Sequence, residues 1–337
     1  MNGFTLQHTA KQYLKSYRKK VKERLNRFNE HYPPLDLEEF EKSIEKTYQR
    51  YFKTERWLDS HHPKPKYYLL LLKHYQDFGL YHAFSLALES KDQDCRVLNN
   101  TLFQISRHNL LLRSMLGSGM DHTNLLEDLM SVLACNDEEA LAHFLPAELE
   151  IAQHRHYFEV ASHLIKVLYY QQTQYREDAY TKAEKFLTKK SNAKWEIAIL
   201  QYLMAIGEKK ANAASQALQD MCDSSRYTSP FDKDFAANIH GYYQLARLID
   251  NDLYEQITRP THKCFCDAFA QWQDENHFPK GEQHYLFPSH LQYMNQIFQA
   301  PLPTVTLEDE RKKKQRYQDV DQFAADLTLN IENKMKP

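Results

Sequence analysis

Histidine and cysteine, two residue types that bind transition metals, lie close together at His262-x-Cys264-x-Cys266. In a helix, residues two apart point about 200° away from each other, so the two thiols would not share a helix face. Structural zinc needs four ligands, usually including a C-x2-4-C pair, and the chain has no second cysteine pair. We therefore expect core or surface cysteines here rather than a metal site, although His277 and His284 lie nearby.

A second cluster comprises His154-Arg155-His156, Glu159 and His163, and its residue types suit metal binding or acid–base chemistry. His156 and His163 are seven residues apart, which would place them on one helical face with Glu159 between them. The spacing lacks the compact H-E-x-x-H arrangement that brings two imidazoles to one ion. A helical hydrolase built on these residues is the weakest of the three hypotheses that we consider for the function of the protein. We predict that the protein is not an enzyme and needs neither a metal nor a cofactor.

Glycine is scarce, and its positions exclude several common sites. The seven glycines are Gly3, Gly79, Gly117, Gly119, Gly207, Gly241 and Gly281. They form neither a dinucleotide fingerprint nor a G-x4-G-K phosphate loop, and G-x-S-x-G is also absent. Sheet-rich folds use glycine at turns of positive φ, whereas helical hairpins need few such positions. The scarcity therefore favours an all-α fold and excludes nucleotide-binding and serine-hydrolase motifs.

Basic residues are concentrated in two segments of a chain whose net charge is only −2. Lys11–Arg27 holds eight basic residues and one acid, and Arg311–Arg316 holds five basic residues. The rest has 30 basic and 44 acidic residues, a formal charge of −14. An acidic body is either a solvated surface or a surface for a basic partner. We interpret both basic segments as solvated, including the helix that also carries Tyr13 and Tyr17, and predict no nucleic-acid partner.

The cysteines and the longest apolar run indicate the compartment. Five scattered cysteines, an odd number, do not form a disulfide framework and suit a reducing cytosol. The first eight residues lack a basic segment followed by an apolar one. The longest apolar run, Tyr67 to Leu72, is too short to span a bilayer. We expect a soluble, cytoplasmic protein with no membrane partner.

Apolar residues recur every three to four positions along most of the chain, so we predict stacked antiparallel helical hairpins in an α-solenoid-like array, with a long-helix N-terminal part. The predicted regions are 1–120 with long helices, 121–306 with the hairpin array, and 307–337 as a charged, partly helical tail. Loops are expected at Gly117–Gly119, Asp274–Pro288 and Pro301–Pro303. The predicted helices are Ala10–Phe28, Asp36–Phe52, Tyr67–Leu88, Cys95–Leu116, Leu125–Cys135, Glu138–Phe144, Pro146–Tyr170, Glu177–Lys189, Lys194–Ile206, Lys210–Cys222, Lys233–Ile249, His262–Trp272, Ser289–Phe298 and Val320–Ile331.

A faint internal repeat supports the array. The pattern Ala179-x3-Ala183-x3-Leu187 recurs further along the chain as Ala213-x3-Ala217-x3-Met221. Small residues four apart let two helices approach closely, as in stacked helical hairpins. Coincidence in an alanine-containing helical protein is the alternative interpretation.

Acidic residues recur at the turns of the central region, where their first role is to cap helices. Their recurrence at successive turns would also place several of them on one edge of a stack. From these we select a candidate partner-binding set: Asp137, Glu138, Glu139, Asp250 and Asp252.

The central region resembles the immunity protein 49 family of bacterial polymorphic toxin systems. The resemblance covers roughly Leu125 to Thr306 and is carried by the run Leu133–Leu145, the hairpins through Met221, the segment Ile239–Arg247 and the closing Phe269–Trp272. It implies an all-α cytoplasmic antidote that binds and blocks a toxin delivered by a neighbouring cell, and it transfers no functional residues. Many toxins act on nucleic acid through basic clefts, which an acidic body would suit. The alternative is a helical-repeat scaffold or adaptor that binds a peptide or protein.

Overall fold

The fold is seen in a computed structural model that describes residues 95–115, 122–149, 156–189, 192–224, 235–284, 286, 292–310 and 315–335. The helices predicted before Cys95, including the basic helix, and the Gly117–Gly119 joint lie outside these residues. The described helices are α1 Cys95–Met115, α2 His122–Leu133, α3 Glu139–Phe144, α4 Tyr157–Tyr169, α5 Thr173–Leu187, α6 Lys194–Gly207, α7 Ala211–Ser224, α8 Ala237–Ile249, α9 Asn251–Gln256, α10 Asp267–Glu275, α11 Gln292–Gln299 and α12 Val320–Met335.

These helices confirm the all-α prediction, with one small addition. Two four-residue strands, β1 Leu307–Glu310 and β2 Gln315–Gln318, pair antiparallel with Leu307 opposite Gln318. Their charged and polar sequences carry no apolar alternation, so the periodicity that marks a half-buried strand was absent. Gln315 and Arg316, at the end of the basic segment Arg311–Arg316, belong to β2, a strand that the sequence did not predict.

Three local predictions need correction. Helix α4 begins at Tyr157, not at Pro146, because residues 146–149 form a turn and His156 is extended. Helix α10 begins at Asp267, five residues later than predicted, because residues 262–266 form a turn. Helix α9 was not predicted at all. It begins where the Asp250 carboxylate accepts a hydrogen bond from the Leu253 N–H at 3.0 Å, an N-cap that satisfies one free donor of the first turn.

Four helices end in the same hydrogen-bonded turn. After each helix, a non-glycine residue adopts a left-handed conformation, with φ between 52° and 58°; after α10 the following Phe278 does so as well, so that His277 is the first of two. Its N–H and the next N–H donate back to the last helical turn, which is the Schellman arrangement. The chain thus closes these helices without glycine, at a conformational cost that a glycine would avoid. The four residues are Asn136 after α2, Gln171 after α4, Lys209 after α6 and His277 after α10.

Helical hairpins surround one main core. The hairpins α4–α5 and α6–α7 stack, with α4 packed against α6. The next hairpin, α8–α9, turns back so that α8 packs mainly against α2, which also contacts α4. A close approach at Gly241 makes this return contact tight. The hairpins therefore close around a shared core instead of continuing as an open row.

The predicted alanine repeat does not coincide with the packing. Ala179 and Ala183 of the first copy are fully buried, but Ala213, the corresponding residue of the second copy, is exposed. Ala214 occupies the buried position instead. The left-handed residues Gln171 and Lys209 mark the structural repeat, which is longer than the offset between the two alanine copies.

The C-terminal helix joins the same core. Phe323, Leu327 and Ile331 of α12 are buried in the main cluster, and the Phe323 ring lies 5.6 Å from that of Phe144 in α3. Helix α12 also packs against α1. The amphipathic helix predicted from about Val320 is confirmed, whereas the division of the chain into three regions stays a prediction. Among the described helices, none has the length and apolarity needed to cross a membrane.

Candidate interaction surface

Asp137, the first residue of the predicted acidic set, lies inside the protein. Its carboxylate is 0 % exposed and forms a two-point contact with the Arg107 guanidinium of α1, in which Nε and Nη2 each donate at 2.8 Å. Such planar pairing is the strongest geometry for an arginine and a carboxylate. Burial alone would lower the pKa of Arg107, but the Asp137 hydrogen bond and charge outweigh it and raise the pKa. Asp137 therefore holds α1 to the α2–α3 turn and offers no surface to a partner.

Glu139 extends this ion pair towards the surface. Its carboxylate accepts from Arg107 Nη2 at 3.1 Å and from Lys280 Nζ at 2.6 Å, and Lys280 also lies 3.2 Å from Asp137. Burial alone would raise the pKa of Glu139, but the Lys280 hydrogen bond and the Arg107 charge hold it at about 2. The carboxylate stays ionised at neutral pH and anchors the 278–284 loop beside α3.

Glu138 pairs with Arg247 in the last turn of α8. The arginine is oriented by a chain of amide hydrogen bonds, because its Nε donates to Gln244 at 3.0 Å and Gln244 donates to Gln273 at 3.0 Å. Buried Gln273 in turn donates to the Ala134 carbonyl of the α2 end at 2.7 Å. A satisfied network of this kind fixes the relative positions of α2, α8 and α10.

Asp250 and Asp252 lie at the start of α9. Asp250 caps that helix and pairs with Lys209 of the α6–α7 turn at 2.6 Å. Hydrogen bonds from Lys209 and from the Leu253 N–H lower the pKa of Asp250. Asp252 is exposed and has no ion pair within the described part of the chain. Among the five predicted acids, it is the one whose carboxylate is not already engaged.

Two ion pairs and one hydrogen bond link four turns at one end of the helical bundle. Arg247 links the α2–α3 turn to the end of α8, and Lys209 links the α6–α7 turn to Asp250. The fourth turn joins through Arg176, which donates to the Gly207 carbonyl from the first turn of α5. We call this surface the turn end; it comprises residues 136–139, 170–172, 208–210 and 250–252. Loops held by a rigid scaffold are common sites of binding.

The histidine cluster around α4 does not assemble into one site. His156 lies before the helix in extended backbone, so the seven-residue helical spacing does not apply, and Glu159 accepts from the His156 N–H at 3.1 Å as part of a capping box. His163 lies 3.4 Å from Asp178 of α5. His154 and Arg155 lie outside the described residues. The carboxylate and the two imidazoles thus serve separate contacts.

The histidine–cysteine cluster at residues 262–266 divides between two parts of the core. Cys264 belongs to the main core cluster and Cys266 packs against a smaller one, while His262 lies half-buried beside Cys264. In the described part of the chain, no three histidine, cysteine or acidic side chains are placed to hold a metal ion. The helical argument that separated the two thiols was wrong in its geometry, because the segment is a turn.

The basic residues that organise the turn end escaped sequence reasoning. Arg107 lies four residues after Phe103 and three before Leu110, on an apolar face of α1, and a charge in such a position is a signal that a buried counter-charge exists elsewhere. Its partner is 30 residues away, so spacing alone does not identify it. Lys280 and Arg247 gave no comparable signal.

Comparison with known proteins adds nothing to this description. The resemblance to the immunity protein 49 family stays a prediction made from the residues. The chain matches no protein-family model, no curated protein and no solved structure.

Proposed function

We propose that the protein is an interaction protein that binds and neutralises a secreted bacterial toxin, and that the turn end contacts the toxin. One observation supports the choice of this surface. The scaffold gathers four turns at one end of the bundle and holds them there through Arg247, Lys209 and Arg176. A preorganised surface loses little conformational freedom on binding, which favours affinity. The toxin itself is suggested by the family resemblance.

The proposed contact residues differ from the acidic set that was predicted from the sequence. Asp137 is excluded by burial, and Glu138 and Glu139 hold the fold through Arg247 and Lys280. The exposed acids of the turn end are Glu208, which pairs with Lys210 at 2.7 Å, and Asp252. The exposed Lys209 and Lys210 lie on the same surface. Exposed acids at the rim of an interface mainly speed association with a basic partner.

The experiment first asks whether a neighbouring gene encodes a secreted toxin domain. That domain is then the probe, with growth of toxin-producing cells and association kinetics as the two readouts. We expect growth to be rescued and a stable complex to form. Reversing both rim charges, Glu208→Lys with Asp252→Lys, should slow association roughly tenfold at low salt and less at high salt. The matched control is Glu184→Lys, exposed on α5 and ~16 Å along the helix from its first residue.

The outcomes separate the two parts of the proposal. Absence of both rescue and binding would refute the immunity function. Rescue with equal association rates for the rim variant and the Glu184→Lys control would instead refute the turn end as the contact surface. Circular dichroism of each variant confirms that the fold is retained.

A further inference from the structure

The segment 258–264, between α9 and α10, lies along one face of α7. The Thr258 N–H donates to Ser215 Oγ at 2.9 Å, and the Thr261 N–H donates to Gln219 Oε1 at 3.0 Å. Residues 215, 219 and 222 follow helical spacing on one face of α7. Positions 258, 261 and 264 follow one another every three residues along the segment. The third pair in this register is Cys222 with Cys264.

The two cysteines meet inside the core. Both side chains are 0 % exposed, and the two thiols are hydrogen-bonded to each other. Neither forms a disulfide, and helices α8 and α9 lie between them in the sequence. The two flanking hydrogen bonds fix the segment against α7, so the contact follows from the backbone register as well as from the side chains.

A base lies beside one of the two sulfur atoms. His262 Nδ1 is 3.0 Å from Cys264 Sγ and accepts the Cys264 N–H at 3.1 Å. A ring nitrogen that accepts a backbone N–H carries no proton itself, so it can accept the proton of the Cys264 thiol. The hydrogen bond with Cys264 and then burial raise the pKa of the Cys222 thiol, which therefore keeps its proton.

We propose that Cys222 and Cys264 are a disulfide-forming pair, oxidised by small peroxides, in which His262 takes the proton of the Cys264 thiol. This modification site is independent of the proposed toxin binding. The resulting Cys264 thiolate attacks one peroxide oxygen, the O–O bond breaks, and the products are a sulfenic acid and water. The Cys222 sulfur then attacks the sulfenic sulfur, the S–S bond forms as the S–OH bond breaks, and the hydroxyl leaves with the Cys222 proton as a second water. Two thiols lose two electrons, and one peroxide becomes two water molecules.

Burial sets the rate of this reaction. Since neither sulfur is exposed, the oxidant must enter when the 257–266 segment opens locally, so the pair reacts more slowly than an exposed thiol. The same barrier protects the disulfide from reductants. The bond would close a loop that contains both α8 and α9, and it would raise the midpoint of thermal unfolding by several degrees.

The test is oxidation of the full folded chain with hydrogen peroxide, followed by alkylation and mass spectrometry of a non-reduced digest. We expect a linked peptide pair containing Cys222 and Cys264, a fall from five free thiols to three, and a higher unfolding temperature that dithiothreitol reverses. In the matched controls, Cys222→Ser should prevent the crosslink and Cys135→Ser, a buried cysteine outside the pair, should leave it intact. His262→Gln should slow its formation severalfold at neutral pH.

Three results would overturn the proposal. One is the retention of five free thiols after prolonged exposure while the fold persists. A second is a dominant crosslink between other cysteines, such as Cys95 and Cys266. A third is an unchanged oxidation rate in His262→Gln, which would remove the assigned role of the imidazole.

Discussion

Gly241 of α8 meets the backbone of α2 at Met130. A Cβ added to Gly241 would lie 1.8 Å from the Met130 carbonyl oxygen, and the neighbouring backbone carbon would be 2.5 Å away. The Met130 backbone cannot move away from an added methyl group by rotation, as the end of a side chain can. The contact therefore sets the distance between the two helices that close the bundle.

Gly241→Ala should lower the free energy of unfolding by about 3 kcal/mol or more, because the two helices must separate. Gly207→Ala is the matched control, since its Cβ would meet only the side-chain ends of Tyr180 and Leu168. Urea denaturation of both variants measures the difference. Equal losses would show that the α2–α8 contact adapts to the extra methyl group.

Arg107→Leu should cost about 3 kcal/mol, because the buried Asp137 carboxylate loses both arginine hydrogen bonds and keeps only the neighbouring, half-exposed Lys280 as a partial counter-charge. Adding Asp137→Asn should recover part of the loss, since the remaining polar group is neutral. Arg96→Leu, an exposed arginine on the same helix, should change stability by less than about 0.5 kcal/mol. If the Arg107 and Arg96 variants unfold at the same urea concentration, the buried pair does not hold the α2–α3 turn.

His240 should make the protein less stable in mild acid. Its ring stacks between Phe235 and Phe265, with centroids 4.7 Å and 4.2 Å away, and its Nε2 accepts the Cys266 N–H. Burial, together with the Arg259 charge, lowers the pKa of His240 to about 3.

The sign of the effect follows from proton binding. Between pH 6.5 and 3 the unfolded chain binds a proton at this histidine and the folded chain does not, so the free energy of unfolding falls as pH falls. One such group accounts for about 2 kcal/mol between pH 6.5 and 4.5. His240→Gln, whose amide oxygen can accept the Cys266 N–H, should reduce the pH dependence by that amount. An unchanged pH profile would contradict a neutral buried imidazole.

Gln171→Gly should stabilise the protein by about 1 kcal/mol, because glycine adopts the left-handed conformation at this position without steric strain. The adjacent Gln172→Gly should destabilise, since φ is −76° there and the side chain donates to the Ala147 carbonyl. Thermal unfolding of the two variants gives opposite shifts if the backbone conformation decides the outcome. Shifts of the same sign would point to the side chains instead.

Local patterns predicted the long helices well. Helix α1 was expected at Cys95 to about Leu116 and spans Cys95–Met115, because its apolar period is sustained over 21 residues. The six-residue α9 is too short to show a period, and its only local signal is the Asp250 cap. Periodicity therefore reports length and regularity better than it reports short connecting helices.

The candidate surface was less predictable, for a physical reason. Asp137 was expected to cap a helix or face solvent, and no neighbouring residue distinguishes those roles from a buried ion pair. Its environment is decided by Arg107, which the fold brings across from another helix. Glu139 and Lys280 are likewise 141 residues apart in sequence. Long-range pairing of this kind has no local signature.

The position of α12 has a consequence for folding during synthesis. Phe323, Leu327 and Ile331 complete the core that also contains Leu110 and Leu111 of α1. A ribosome adds about 5–20 residues per second, so α1 waits roughly ten seconds to a minute before its final contacts emerge. During that interval the apolar faces of α1 and α3 remain uncovered at the C-terminal side of the core. Nascent chains halted before residue 320 should therefore bind chaperones, and chains released after α12 should not.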